Sequence, residues 1–534
     1  MLFVIILSIV FTLFVIFILL LNFNYRFAYF YYKILKKKRL FSLVILRNRK
    51  YLRDSVLMFP QSIMPIIDDM GWSNGRDLSP NGPSRLVKNR DPKLDDYANV
   101  IDIAKQSGIR IPGAFIISDF DKENVCAKQE YNIPKKNSNL TEVGLNWDNK
   151  TSKDYNERLV KLLSNNSKYI EFSLHGVRHE YFDETGVKNA EWANAETGES
   201  WGKDYVELHC KVFSEIIRQY FSRNKFSFPN FFVPPKHTFS LYSDDLKVLN
   251  SYGIKRFSCS CSSKPSMRSL INSGLYKDGV LLMDRTELYG ITKEGYVPKF
   301  IPVNYWIGTH FPNFWGKSVK KWVRYLKKLE KNYDTMVGKN SVDNASQWIY
   351  SRYTACRFDV KNITINNLYM PDWAYDNDFI NGIWLKVHMH GKNKLSKLCV
   401  DGLKIIAVKK DDYDNVYLRL ASNREDGALE KKIYKGTYTV DKKPIDYTYI
   451  DIDKETYVVK NLFDDGKSLK INLTLFGEHQ VIVKLKDKIL DAKSLDGNAN
   501  DLFVSENTLV FNACTSKMNG EDKTFNISYK VIGE

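Results

Sequence analysis

Between residues 57 and 310 short apolar runs alternate with stretches of helical period, and beyond about residue 355 the pattern shortens to strict alternation. The apolar runs at 57–68, 109–118, 169–175, 228–234, 254–261, 279–284 and 299–310 predict strands. Helical stretches such as DDYANVIDIAKQSG, DYNERLVKLLSNN, KDYVELHCKVFSEIIRQYF and SDDLKVLNSYG lie between most of them, and KSVKKWVRYLKKLEKNY follows the last. A chain that returns through a helix after each strand lays its strands parallel, so residues 56–350 predict a β/α barrel. Segments such as GIWLKVHMHG, NVYLRLAS, SLKINLTLFG, HQVIVKL and TFNISYKVIG, separated by DG, NG and DDG turns, predict an all-β sandwich as accessory domain over 355–534.

The first 22 residues, MLFVIILSIVFTLFVIFILLLN, carry no charge. As a helix they would cover roughly 33 Å, against a hydrocarbon core of roughly 30 Å, which predicts one transmembrane helix and a single-pass membrane protein. Residues 23–55 read as a basic, aromatic juxtamembrane segment, with Arg26, Lys33, Lys36, Lys37, Lys38 and Arg39 close to the helix end. Flanking charge of this kind keeps its side of the membrane cytoplasmic.

At 534 residues the chain exceeds what one hydrophobic core organises, consistent with more than one folded unit. Its net charge of +17 is spread over the whole length and accompanies no nucleic-acid motif, so nucleic acid is not an expected partner. The cysteines Cys126, Cys210, Cys259, Cys261, Cys356, Cys399 and Cys514 form neither a CxxC pair nor a regular spacing. That excludes a zinc ribbon and a disulfide framework.

The candidate chemistry lies at the ends of predicted strands. Asp68 and Asp69 close the first in MPIIDDMGW, His175 and His179 follow the third in EFSLHGVRHEYFD, and His310 closes the seventh in YWIGTHFPNF. In β/α barrels the carboxyl ends of the strands are where sites are built. Two neutral imidazoles and a carboxylate supply three ligands to a divalent ion, and a second carboxylate beside them can take a proton from water.

These residues resemble the NodB-homology polysaccharide deacetylases, carbohydrate esterase family 4 and its divergent relatives, over roughly residues 56–335. The resemblance implies a distorted (β/α)7 barrel that removes acetyl groups from N-acetylated sugars of a polysaccharide or lipid-linked glycan, placed outside the cytoplasm. It implies Asp68 as general base, Asp69, His175 and His179 as ligands of a divalent metal, zinc being the expected ion, and His310 as the acid that protonates the departing amine. Membrane side is thus left open, since flanking charge points the other way.

Two departures from the family stand out. Where the family has Arg-x-Pro-Tyr this chain has FFVPPKHTFS, so the arginine that orients the base is missing, and Pro235 has no N–H to offer an oxyanion. Lys236 or His237 are candidates for the missing positive or hydrogen-bonding group. Trp72, with Trp306, Phe314 and Trp315, is a candidate to stack on a sugar ring; His388 and His390 fall on one face of a strand. Two other functions fit the same residues: an inactive glycan-binding or scaffold protein that kept the barrel, and a glycoside hydrolase, which would need two carboxylates flanking the bond.

Overall fold

The computed structural model describes residues 57–71, 90–129, 150–182, 188–222, 225–241, 243–259, 276–287, 293–298, 304–332, 334–359, 361–387, 394–413, 415–441 and 447–532, together with Ser8 and residues 10–16. The parallel sheet that positions the site contains β1 (Gln61–Met70), β2 (Ile111–Ile116), β3 (Ile170–Gly176), β4 (Phe231–Phe232), β5 (Arg256–Cys259), β6 (Val280–Asp284), β7 (Thr286–Glu287) and β8 (Trp306–His310). Their spatial order is β7-β8-β1-β2-β3-β4-β5-β6, so the late strand β8 lies beside the first. The connections include helices α1 (Leu94–Ser107), α2 (Lys150–Asn165), α3 (Lys203–Arg218) and α4 (Asp245–Tyr252), with α5 (Val319–Lys331) after β8.

The sheet is a distorted part-barrel whose outermost parallel strands are consecutive in the chain. On one side β6 pairs with β5 and carries the short antiparallel edge strand Tyr276–Lys277, on the other β7 pairs with β8, and the single residue Arg285 separates β6 from β7. The predicted first run, 57–68, is divided. Leu57–Met58 pairs antiparallel with Ile383–Val387 in a different sheet, and β1 starts only at Gln61. Pro60, which has no N–H to give a ladder, stands at the break.

Alternation along the strands divides the apolar side chains between two cores. Ile63, Ile67, Phe115, Phe172, Leu174, Phe257 and Ile307 face the helices and cluster with Tyr97, Val100, Phe213, Leu246 and Leu326. Met64, Ile66, Ala114, Phe231, Val233, Leu281, Met283 and Trp306 fill the inside. That inner cluster continues into Ala345, Trp348, Ile349 and Tyr350 of helix α6 (Ser341–Tyr353). Gln347 donates to the Pro60 carbonyl and Asn344 to that of Tyr305, both ahead of strand starts, so α6 covers the amino-terminal end of the sheet. The carboxyl-terminal ends are left for the site.

The carboxyl-terminal part, from about residue 355, is β apart from the short helix Asp372–Asp376, but it is not a simple pair of sheets. An eight-stranded sheet, which includes Leu57–Met58, runs behind two separate four-stranded sheets. One of these contains Ala355–Phe358, Asn362–Asn366, Ile433–Asp441 and Lys394–Val400; the other contains Val458–Asp464, Ser468–Leu475, Glu521–Val531 and Ile489–Ser494. The first packs against the large sheet in a cluster continuous with the inside of the barrel, and the second buries a cluster of its own. Polar contacts also fix this part to the barrel. Arg110 pairs with Glu171 at 3.2 Å and donates to the Met518 carbonyl at 2.8 Å, and Lys339 donates to the Asp453 carbonyl at 2.6 Å.

One expectation is overturned. Among the described residues no helix is long and apolar enough to cross a membrane, which removes the basis for a single-pass membrane protein. The described helical positions near the start, 10–16, are exposed. Residues 23–55, Trp72, His388 and His390 lie outside the described residues.

Candidate metal centre

Two irregularities in the sheet create the site. Across β1 and β2 the register steps from Ile67↔Gly113 to Met70↔Phe115, three residues against two, so β1 carries an extra residue at the aspartate pair. Asp69 takes the left-handed conformation there, with φ 62°. In a regular strand adjacent side chains point to opposite faces; a bulge containing a left-handed residue re-aims one of them. Across β2 and β3 the register steps from Phe115↔Leu174 to Ile116↔Gly176, so His175 is the extra residue of a second bulge. His179, four residues on, is also left-handed at φ 73°. Such backbone persists where its surroundings over-determine it, and it clusters at functional sites.

Asp69, His175 and His179 are all buried, and their ligand atoms lie within 4.8 Å of one another. The Asp69 Oδ1 oxygen is 3.2 Å from His175 Nε2 and 3.5 Å from His179 Nε2. Ligands at zinc–nitrogen and zinc–oxygen distances on tetrahedral corners stand about 3.3 Å apart, so the group fits a small divalent ion. The other ring nitrogens are engaged. His175 Nδ1 donates to the Val233 carbonyl at 2.5 Å, and His179 Nδ1 is 2.7 Å from Glu180 Oε1. With Nδ1 engaged in this way, Nε2 of each ring is turned toward Asp69 and would offer its lone pair to an ion once its proton is lost, the arrangement that orients histidine ligands of metals.

Electrostatics favours a charged carboxylate at the centre. Burial pushes the Asp69 carboxyl up, but the His175 hydrogen bond and the nearby His179 and His310 rings outweigh it and hold it well below the usual range. Burial pulls both histidines down. For His175 the Asp69 bond and the charges of Asp68 and Asp69 reverse this and raise it, while for His179 burial prevails over Glu180 and lowers it.

Asp68 is held apart from this group by an arginine. Arg285 Nη1 donates to Asp68 Oδ1 at 2.9 Å and Nη2 to Oδ2, a two-pronged clamp between side chains almost wholly buried. The same Nη2 is 3.4 Å from His237 Nδ1. His310 stands opposite Asp68 in the β8–β1 register, with Nε2 3.9 Å from Asp69 Oδ2. Five chain-distant segments, contributing Asp68 with Asp69, His175 with His179, Val233, Arg285 and His310, thus meet at one end of the sheet.

No protein-family model matches this chain, and no curated protein matches it. Solved structures similar to it include the following two. One is described as the crystal structure of Agd3, a novel carbohydrate deacetylase, at 10% identity and a TM-score of 0.39, covering 72% of this chain and 66% of that one. The other is the crystal structure of the novel alpha-amylase AmyC from Thermotoga maritima, at 11% identity and a TM-score of 0.18, covering 43% of this chain and 46% of that one. At such distance the functional assignment falls to the side chains themselves.

Of the further candidates, His237 reaches the Arg285 guanidinium, whereas Lys236 Nζ donates to the Asn189 carbonyl at 3.2 Å. Both have left-handed backbone, φ 54° at His237 and 52° at Lys236. Three expected sugar platforms are packed away. Trp306 is fully buried inside the sheet, Phe314 stacks on Trp322 at 4.4 Å, and Trp315 lies under the Arg90 guanidinium at 4.3 Å. Arg285 was not singled out by its sequence context, LLMDRTE, where nothing distinguishes it from a surface arginine at a strand end. It reaches Asp68 from the one-residue link after β6, whereas FFVPPKHTFS, which follows the His175 strand, carries no arginine.

Removing one member of a buried pair strands the other as an uncompensated charge, which typically costs roughly 3–5 kcal/mol. Arg285→Met is therefore expected to destabilise the fold by an amount in that range, read from urea denaturation. The double variant Arg285→Met/Asp68→Asn is expected to recover a substantial part, because no buried carboxylate is left without its partner. A double variant no more stable than the single one would show that the clamp is not what the fold depends on.

Proposed function

We propose that this chain is a metal-dependent carbohydrate deacetylase that hydrolyses acetyl groups of N-acetylated sugars. The observation that carries the reading is one carboxylate shared by two buried imidazole nitrogens at 3.2 and 3.5 Å, with a second, arginine-clamped carboxylate next to it in the chain. Asp69, His175 and His179 would hold the ion. Their two nitrogens and one oxygen suit zinc, though ligand type does not select it over neighbouring divalent metals. When bound, such an ion supplies Lewis-acid polarisation of the acyl carbonyl and lowers the pKa of water.

The chain's own residues do the rest. Asp68 accepts the proton of the attacking water, and Arg285 holds the carboxylate in one orientation while balancing its charge. His310, nearest the Asp69 oxygen that the ligand pair does not approach, donates a proton to the leaving nitrogen so that an amine departs rather than an amide anion. Pro235 offers no amide to the developing oxyanion.

The full chain incubated with acetylated chitooligosaccharides is expected to release acetate, to stop when a chelator strips the metal, and to resume when zinc is restored. New reducing ends without acetate would instead mark a glycoside hydrolase. Binding of the glycan without either product would mark a scaffold.

A further inference from the structure

The segment between the two histidine ligands, Gly176 to Arg178, is wrapped around a carboxylate from elsewhere in the chain. Glu191, fully buried, accepts the backbone N–H of Val177 at 3.0 Å and of Arg178 at 2.7 Å on Oε1, and that of His179 at 2.8 Å on Oε2. Successive N–H groups converging on one point form a concavity for an anion, and here the protein fills it with its own side chain. Space has been made for it. A Cβ on Gly176 would come within 1.8 Å of Glu191 Oε2. The next residue completes the hold: Trp192 Nε1 donates to the His175 carbonyl at 2.9 Å, and its ring stacks on His209 at 3.6 Å. His209 Nε2 is in turn 3.7 Å from Glu191 Oε1.

We infer that Glu191 is a positioning residue for the metal centre, fixing the backbone of the HGVRH segment so that His179 presents Nε2 to the ion from an otherwise unfavourable left-handed conformation. The inference rests on the metal reading above and extends it to a residue that touches no ligand atom. A non-glycine residue at φ 73° is in a backbone region that side chains disfavour and is kept there only when neighbours dictate it. Three N–H bonds to one carboxylate, one of them from His179 itself, do so. Glutamine at 191 keeps the volume but turns an amide NH2 toward N–H donors, so at least one of the three loses its acceptor. His179 is then free to relax, and its ring leaves the position 3.5 Å from Asp69.

Zinc and cobalt(II) affinity of the full chain, measured by titration calorimetry, decides the matter, with the cobalt visible spectrum as the record of ligand geometry. Glu191→Gln is expected to weaken binding by roughly 10–100-fold, the usual effect of removing a support behind a ligand, and to alter the cobalt spectrum. Gly176→Ala, which displaces the same carboxylate from the other side, is expected to do likewise. Glu171→Gln is the control: it breaks a buried ion-pair network with Arg110 and Arg256 near the start of β3, and should lower the melting temperature without changing affinity or spectrum. Unchanged affinity and spectrum in Glu191→Gln, or an equal loss in Glu171→Gln, overturns the inference. A wild-type chain that binds neither metal overturns the metal reading itself.

Discussion

Asp68→Asn is expected to lower acetate release by a factor on the order of 10²–10⁴, the range that a positioned general base contributes, while the protein still binds one equivalent of metal. Asparagine keeps the shape of the side chain and one carbonyl oxygen for Arg285, but it cannot accept a proton from water. Because Asp68 faces the guanidinium and Asp69 faces the imidazoles, the two neighbours separate cleanly in such a test. Metal analysis and turnover on the same preparation provide the measurement. Turnover within a few-fold of wild type would dismiss Asp68 as the base.

His175→Ala is expected to abolish both metal binding and activity. Loss of a ligand should exceed the roughly 10–100-fold penalty seen for residues that only support one. The effect can be read without substrate. A ligand that binds only the folded state stabilises it by about 2.7 kcal/mol at 100 times its Kd, so zinc should raise the melting temperature of the wild type and leave that of His175→Ala unmoved. The same residue sets the pH dependence. His175 in the metal-free site is raised above the ordinary histidine value by Asp69 and Asp68, which outweigh its burial, so it holds its proton further up the pH scale. The ion must displace that proton. Zinc affinity should therefore rise with pH through the histidine range, and its stabilising effect should fade as pH drops below it. An equal zinc-induced shift in the variant would place the ion elsewhere.

Much of the site was legible because polar side chains at the ends of apolar runs stand out. Asp68, Asp69, His175 and His310 each close a run, and the parallel order of the strands follows from the helices between them. What brings them to a common point was not legible. The bulges at Asp69 and His175 are departures of one strand's register from its neighbour's, and a single strand does not record its partner. Arg285 and Glu191 escaped for a related reason. Each acts across a gap of chain, Arg285 on a residue 217 positions away, and neither belongs to a local motif. Alternating polarity after residue 355 announced sheets without saying how many faced one another, so a single sandwich was read where one large sheet backs two smaller ones. Trp306 was read as a rim residue because it lies close to His310, yet four positions along a strand carry a side chain from the open end into the packed interior. The uncharged first 22 residues predicted a membrane span from composition alone, whereas among the described residues no helix is long and apolar enough to cross a membrane.

The one-residue link between β6 and β7 gives the reaction proposed here an unusual dependence. Arg285 is at once the link between β6 and β7, the outermost parallel strands of the sheet, and the clamp on Asp68. A molecule in which that seam has come undone would retain its ion on Asp69, His175 and His179 but release its proton acceptor. Exchange protection at residues 284–287 and catalytic competence should consequently be lost in a single event, well before the metal is.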